Sequence, residues 1–187
     1  PDWARTVAFV PREALSGAAI FALGCDEIVM NPNAQIGDAG PIIQGQDFLW
    51  RHASEKIRTD LARDVRDLAS AKNRPPAFAE AMVDMDLIVY KVKRKEDDTI
   101  AFMSDSEIES DGGEDKWEKL NPVLETREGK FFEANGKRAV ELTLAQAVVT
   151  DRDALEQRYQ VSEFAVLEWG GVDTVVLVLN HPVVTVL

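Results

Sequence analysis

One cysteine, Cys25, and two histidines, His52 and His181, are the only thiol and imidazole groups in the chain. A single thiol cannot close a disulfide within the chain, and a cysteine-rich metal site is excluded. Cys25 lies among Leu23, Gly24 and Ile28, where a small buried hydrophobe is the default role. Basic charge is also scarce: 21 Lys and Arg stand against 33 Asp and Glu, a net charge of −12. Non-specific nucleic-acid binders displace phosphate counterions with clustered Lys and Arg, so nucleic acid is not an expected partner. No apolar run reaches the ~20 residues that span a bilayer, no signal peptide is visible, and no internal repeat appears. The chain opens on Pro1 where an initiator methionine is expected, and "VDTVVLVLNHPVVTVL" from Val172 grows steadily more apolar. Both ends therefore read as cuts in a longer protein, the second a last amphipathic helix or the approach to a membrane span.

What remains is ample for a folded domain: 187 residues, 45% of them apolar. "TVAFV", Thr6 to Val10, is a buried strand closed by Pro11, and "EIVM", Glu27 to Met30, is a second, ended by Asn31, Pro32 and Asn33. Between them, Ala14 to Gly24 is too rich in alanine and glycine for a strand and reads as a closely packed helix. Strand, helix and strand in so short a span make a βαβ unit, hence a parallel sheet in an α/β fold. From Phe48, the apolar positions Leu49, Ala53, Ile57, Leu61, Val65 and Leu68 recur at helical spacing and predict one long amphipathic helix, stopped by Asn73, Arg74, Pro75 and Pro76. A short helix over 77–83 follows, then a hairpin pairing 87–93 with 99–103 across an acidic turn. Further helices are predicted over 137–144 and 151–159, and a last strand over 164–169. The acidic run "EDDTIAFMSDSEIESDGGED", Glu96 to Asp115, reads as a solvated hairpin and loop, with a site for a cation or a basic partner as the sharper alternative.

Ser16 stands where this small-residue helix begins. Helix N–H groups at such a turn lie where an oxyanion would form, and Gly17 can offer its N–H without side-chain obstruction. Placement alone does not activate a hydroxyl: a base is needed, usually a histidine and sometimes a lysine of lowered pKa. The chain offers His181 and His52, which shares the long helix with Lys56. The plainer readings are a helix N-cap or packing residue for Ser16, and for Lys56 an exposed ion pair with Asp60. Asp26 fits a role in closing the start of its strand, Asp38 an Asx-turn, and Trp117 and Trp169 either core or interface positions.

"ALSGAAIFALGCDEIVMNPNAQIGDAGPI" resembles the nucleophile region of the ClpP-class serine proteases, in particular the membrane-associated NfeD branch. In register, Ser16 falls on the family's serine, Asp26, Glu27 and Ile28 on its Asp-Glu-Ile, and Ile36, Gly37, Pro41 and Ile42 on its Ile-Gly-x-x-x-Pro-Ile turn. "EKIRTDLARDVRDLASAKNRPPAFAEAMV" resembles the helix carrying the general-base lysine, which falls on Lys56. "GKRAVELTLAQAVV" is similar to a later Ala-x-x-x-Gly-Leu-Ala helix, and "VLEWGGVDTVVLVLNHPVVTVL" to the segment before the membrane spans. The upstream Gly-Gly loop would lie before Pro1, and Leu15 and Gly17 depart from the residues usual beside the serine.

The resemblance implies a ClpP/crotonase-like fold of stacked ββα units, only partly represented, with N-terminal strands before Pro1. It implies a protease domain over 1–160, in which 92–131 is a branch-specific acidic insertion, and a C-terminal segment over 161–187 leading toward the membrane. The implied activity is a serine endopeptidase with a Ser16–Lys56 dyad and Gly17 in the oxyanion hole, needing no cofactor or metal. Hydrophobic peptide segments are the implied substrates, stomatin-like membrane proteins the implied partners, with self-association and an extracytoplasmic location. A crotonase-type acyl-CoA hydratase or isomerase, or a silent scaffold of the same fold, stands as the alternative.

Overall fold

The computed structural model describes residues 4–44, 47–127, 129–166 and 170–171. In chain order the elements are β1 (Val7–Val10), β2 (Glu13–Leu15), α1 (Gly17–Gly24), β3 (Glu27–Met30), β4 (Gln35–Gly37), β5 (Ile42–Gln44), β6 (Trp50–His52), α2 (Glu55–Ala71) and α3 (Pro76–Ala81). There follow β7 (Val89–Arg94), β8 (Ile100–Ser104), α4 (Asp105–Ser110), α5 (Gly113–Lys116), β9 (Trp117–Pro122), β10 (Glu133–Asn135), α6 (Gly136–Glu141), β11 (Ala147–Val148) and α7 (Arg152–Tyr159). The chain divides into two units, Pro1–Asp151 and Arg152–Leu187, the second containing α7.

The βαβ reading holds. β1 and β3 pair in parallel with Val7 opposite Glu27, and β11 joins β3 from the other side, also in parallel. Because β3 is the middle strand, Ile28, Val29 and Met30 are fully buried, which accounts for an unbroken apolar run in place of an alternating one. A second sheet, ordered β10, β4, β2, carries the chain through the Ile36–Gly37 turn. Both sheets drain into one core with α1, α2 and α3, in which Phe78 and Phe132 lie 4.9 Å apart at the ring centroids.

Two elements depart from the sequence reading in ways that matter for function. Residues 13–15 are extended, paired in parallel to β4, so the helix starts only after Ser16. The long amphipathic helix begins at Glu55, not Phe48, because His52 is already committed to a hairpin opposite Ile42 and Ala53 N–H donates to the Pro41 carbonyl at 2.8 Å. Phe48 and Leu49, which matched the helical period, are instead exposed at 79% and 60%. Downstream, α2 buries Ala62, Val65 and Ala69, as the period requires.

The predicted hairpin forms as β7 with β8, and β9 adds on the other side of β7. The acidic run is more ordered than a loop. Ser104 and Glu107 close a reciprocal capping box at the start of α4, and Trp117, 4% exposed, fills a small second core with Val92 and Ile108. Residues 163–166 belong to no strand, and the rest of that predicted strand, with Trp169 and the apolar C-terminal run, lies outside the described residues. Among the described residues no helix is long and apolar enough to cross a membrane. Cys25 is half-buried at the end of α1, its thiol 3.5 Å from the Phe21 carbonyl.

Arg74 ties the layers together. It is 2% exposed and donates to the carbonyls of Leu23, Cys25, Asp26 and Leu144 over 2.9–3.3 Å. The first two of these lie at the C-terminal end of α1, where carbonyls have no partner within the helix. Asp26, read from sequence as closing its strand, accepts from the Thr6 N–H and hydroxyl at 2.7 and 2.8 Å and pairs with Lys72. The Lys72 ammonium, aided by Thr6, holds its carboxyl well below the usual carboxylate range.

Candidate functional site

Ser16 occupies the corner between β2 and α1, with φ 55° and ψ −129°. That conformation is rare for a residue with a Cβ and costs on the order of 1–3 kcal/mol. The surroundings impose it. Ser16 N–H donates to the carbonyls of Asp38 at 2.9 Å and Gly37 at 3.2 Å, while its own carbonyl accepts from Ala19 N–H at 3.0 Å and starts the helix. A serine on a sharp, strained strand-to-helix turn presents its hydroxyl outward, the arrangement hydrolases use for a nucleophile.

The plain N-cap reading is absent: the Ser16 side chain makes no capping hydrogen bond. Ser16, Gly17 and Ala18 are all exposed, and a Cβ placed on Gly17 would meet nothing within 4 Å. The start of α1 is therefore uncovered around Ser16 and Gly17, and the first N–H groups of a helix carry partial positive charge.

The loop that holds Ser16 is itself clamped. Gly37 has φ 139°, and a Cβ there would sit 2.1 Å from the Phe132 carbonyl oxygen. That oxygen accepts from Asp38 N–H at 2.9 Å, and Ala39 N–H donates to the Met82 carbonyl at 2.8 Å. A Cβ on Gly40 would come within 2.1 Å of the Phe131 ring, which also meets the His52 imidazole edge-on at 5.5 Å.

Lys56 lies in the first turn of α2 and is exposed, so the partial burial that its place beside Ile57 suggested does not exist in the single chain. Ile57 is itself 46% exposed. Nor is Lys56 paired with Asp60, which binds Arg63. Among the described residues Lys56 has no hydrogen bond or ion pair, and none joins it to Ser16. The two are linked through the β5–β6 hairpin. At its open end Pro41 follows the loop clamping Ser16, and Ala53, bonded to Pro41, leads into α2. His52 is exposed on the same hairpin, against Phe131. Asp38 contributes its carbonyl; its side chain is exposed.

Sequence reasoning missed the Gly37–Asp38 clamp, although the Ile-Gly pair followed by Pro and Ile was visible. It also missed the apolar surface beside the site. Ile42, Ile43, Phe48, Leu49, Ile57 and, on α1, Phe21 are exposed, the last at 83%. Among the described residues no cluster of His, Cys, Asp or Glu could hold a metal.

Residues 3–130 match the family model described as NfeD1b, N-terminal domain, a stretch that includes most of the acidic segment. The membrane protein NfeD1b of Bacillus subtilis (strain 168) is 31% identical over 117 residues. These are 63% of this chain and 26% of that protein, so the chain spans about a quarter of its relative's length. Two solved structures share the fold, both of a 1510-N membrane-bound stomatin-specific protease. A serine-to-alanine mutant superposes with a TM-score of 0.52 at 18% identity, covering 81% of this chain and 54% of that one. A lysine-to-alanine mutant in complex with a substrate peptide gives 0.55 at 16%, covering 91% and 67%. The chain thus shares the mixed α/β fold of that protease.

Proposed function

This chain belongs to the NfeD1b N-terminal domain family, and from that premise we propose that it is the catalytic part of a membrane-associated serine endopeptidase with a Ser16–Lys56 dyad. Lys56, as a free amine, takes the Ser16 hydroxyl proton while the oxygen attacks the scissile carbonyl. The resulting ammonium protonates the leaving amine, and water, deprotonated in turn by Lys56, releases the acyl group from Ser16. The Gly17 N–H, at the start of α1, stabilises the oxyanion in both steps.

The observation that carries this reading is the backbone of Ser16: a strained, clamped corner whose hydroxyl has been left without a structural task. The substrates are hydrophobic peptide segments, to which exposed Phe21, Ile42 and Ile57 offer apolar contact. Stomatin-like membrane proteins are candidate partners, since the protease of similar fold is described as stomatin-specific and membrane-bound. The domain acts on the extracytoplasmic side. Lys56 needs a drier setting than the isolated chain gives it, and a second copy packed on the hairpin, or the bound peptide, supplies that cover.

Cleavage of a fluorogenic hydrophobic peptide by the full-length protein tests the proposal. Ser16→Ala and Lys56→Ala each lower kcat/KM by about 10²-fold or more with folding intact. Activity that survives Ser16→Ala refutes the nucleophile. Activity that survives Lys56→Ala but not His52→Ala moves the base to the histidine, and a folded full-length protein that cleaves nothing is a scaffold.

A further inference from the structure

The three-stranded sheet of the acidic segment, ordered β8, β7, β9, has two unlike edges. β9, "WEKLNP", is blunted by Glu118, Lys119 and Pro122, the usual protection of a strand with no outer neighbour. The opposite edge, β8, reads "IAFMS" and carries no charge and no proline.

The hydrogen-bond phase of β8 is fixed at both ends. Arg94 N–H donates to the Thr99 carbonyl at 2.8 Å, so Thr99, and by alternation Ala101 and Met103, turn their main chain toward β7. Ser104 N–H points the other way, to the Glu107 carboxylate at 2.9 Å. The main-chain N–H and C=O groups of Ile100 and Phe102 therefore face outward, and among the described residues nothing accepts from or donates to them.

A cavity of about 500 Å³ runs along this edge. Phe102 turns its ring toward Phe78, 5.3 Å away, whereas Ala101 and Met103 turn toward Trp117 and Ile108. The cavity is lined by these residues of both faces of β8 together with Arg74, Pro75, Pro76, Glu107, Asp111 and Trp117. It thus straddles the strand in the position a neighbouring strand would take, with room for side chains on either face.

We propose that the β8 edge is a docking strand for an extended peptide of alternating basic and apolar residues, which adds to the sheet through Ile100 and Phe102. This mode of recognition takes affinity from main-chain hydrogen bonds and selectivity from alternate side chains. Charge identifies the occupant. From Glu96 to Asp115 every charged residue is acidic, and two of these carboxylates, Glu107 and Asp111, line the cavity, paired with Arg66 and Lys116, while the one cation in the lining, Arg74, is committed to main-chain carbonyls. A second copy, with its own acidic face and a net charge of −12, would be repelled here. The proposal stands apart from the peptidase reading: β8 supplies no residue to the Ser16 site.

Fluorescence anisotropy with the full chain tests it, using a labelled hexapeptide of alternating lysine and valine, its glutamate–valine counterpart, and the lysine–valine peptide with N-methylated valines. The first binds saturably and the second does not. The third, with charge and side chains kept but donors removed, binds about fivefold more weakly or worse. Ile100→Pro removes only an outward N–H, spares the β7 ladder and weakens the first peptide in the same way. Should that variant lose its circular dichroism spectrum, Ile100→Lys, which sets a cation on the edge, serves in its place and also weakens binding. Equal binding of the N-methylated peptide, or unchanged binding by a folded Ile100 variant, overturns the proposal. So does a protein dimer in sedimentation that the Ile100 change dissolves, because the occupant is then another copy.

Discussion

Replacing Gly37 by alanine tests the link between fold and site at its narrowest point. Two costs are read from the geometry. Gly37 has φ 139°, where an L side chain is strained by on the order of 1–3 kcal/mol. Its Cβ would also lie 2.1 Å from the Phe132 carbonyl oxygen and 2.8 Å from Glu133 Cα, backbone atoms that no rotamer change can move aside. The β4–β10 pairing opposite Glu133 must open, and Asp38 N–H loses its acceptor, at about 1 kcal/mol per hydrogen bond. The sum is about 3–5 kcal/mol, enough to move a urea midpoint by more than 1 M at an m-value of about 1–3 kcal/mol/M. Gly113→Ala is the control: φ 60° there gives the strain, but nothing lies within 4 Å, so it loses only about 1 kcal/mol. Beyond stability, the Asp38 carbonyl that holds Ser16 shifts with the loop, so the folded fraction of Gly37→Ala cleaves more slowly than the parent. A loss under about 1 kcal/mol in urea, matching the control, would refute the clamp.

Ser16→Gly should act in the opposite sense. It relieves the φ 55° strain and raises stability by up to about 1 kcal/mol in thermal unfolding while abolishing cleavage, whereas Ser16→Ala gives no such gain; equal melting of the two variants would show that the corner is unstrained. Asp26, whose carboxyl is depressed by Lys72 and Thr6, contributes stability at pH values above the ordinary carboxylate pKa. That contribution drains as the pH falls below about 4 toward the lower folded-state value. The melting-temperature gap between the parent and Asp26→Asn therefore narrows on acidification, and a gap constant from pH 7 to pH 2 would exclude the ion pair as its source.

The central parallel sheet was legible because β1 and β3 are short, continuous apolar runs ended by Pro11 and Pro32. The β2 strand was not, because Glu13, Ala14 and Leu15 carry no strand propensity of their own; only pairing with β4 extends them, a long-range contact that periodicity does not report. The same override misplaced the start of α2. Phe48, Leu49 and Ala53 fell on a helical stripe, yet Pro41 and Ala53 close a hairpin there, and tertiary pairing outweighed the local period. At the site, Ser16 and Gly17 could be singled out from sequence. The burial of Lys56 could not be judged, since a stripe position such as Ile57 is apolar whether the core or a partner covers it.

The β5–β6 hairpin joins the loop that grips Ser16 to the helix that carries Lys56, and its tip displays Phe48 and Leu49 to water. Whatever covers that greasy tip, a lipid surface or another protein, would sit on a ribbon whose base adjoins both the serine's loop and the lysine's helix. The peptidase proposed here would then share one ribbon between its outer contact and the elements that carry its two reactive side chains.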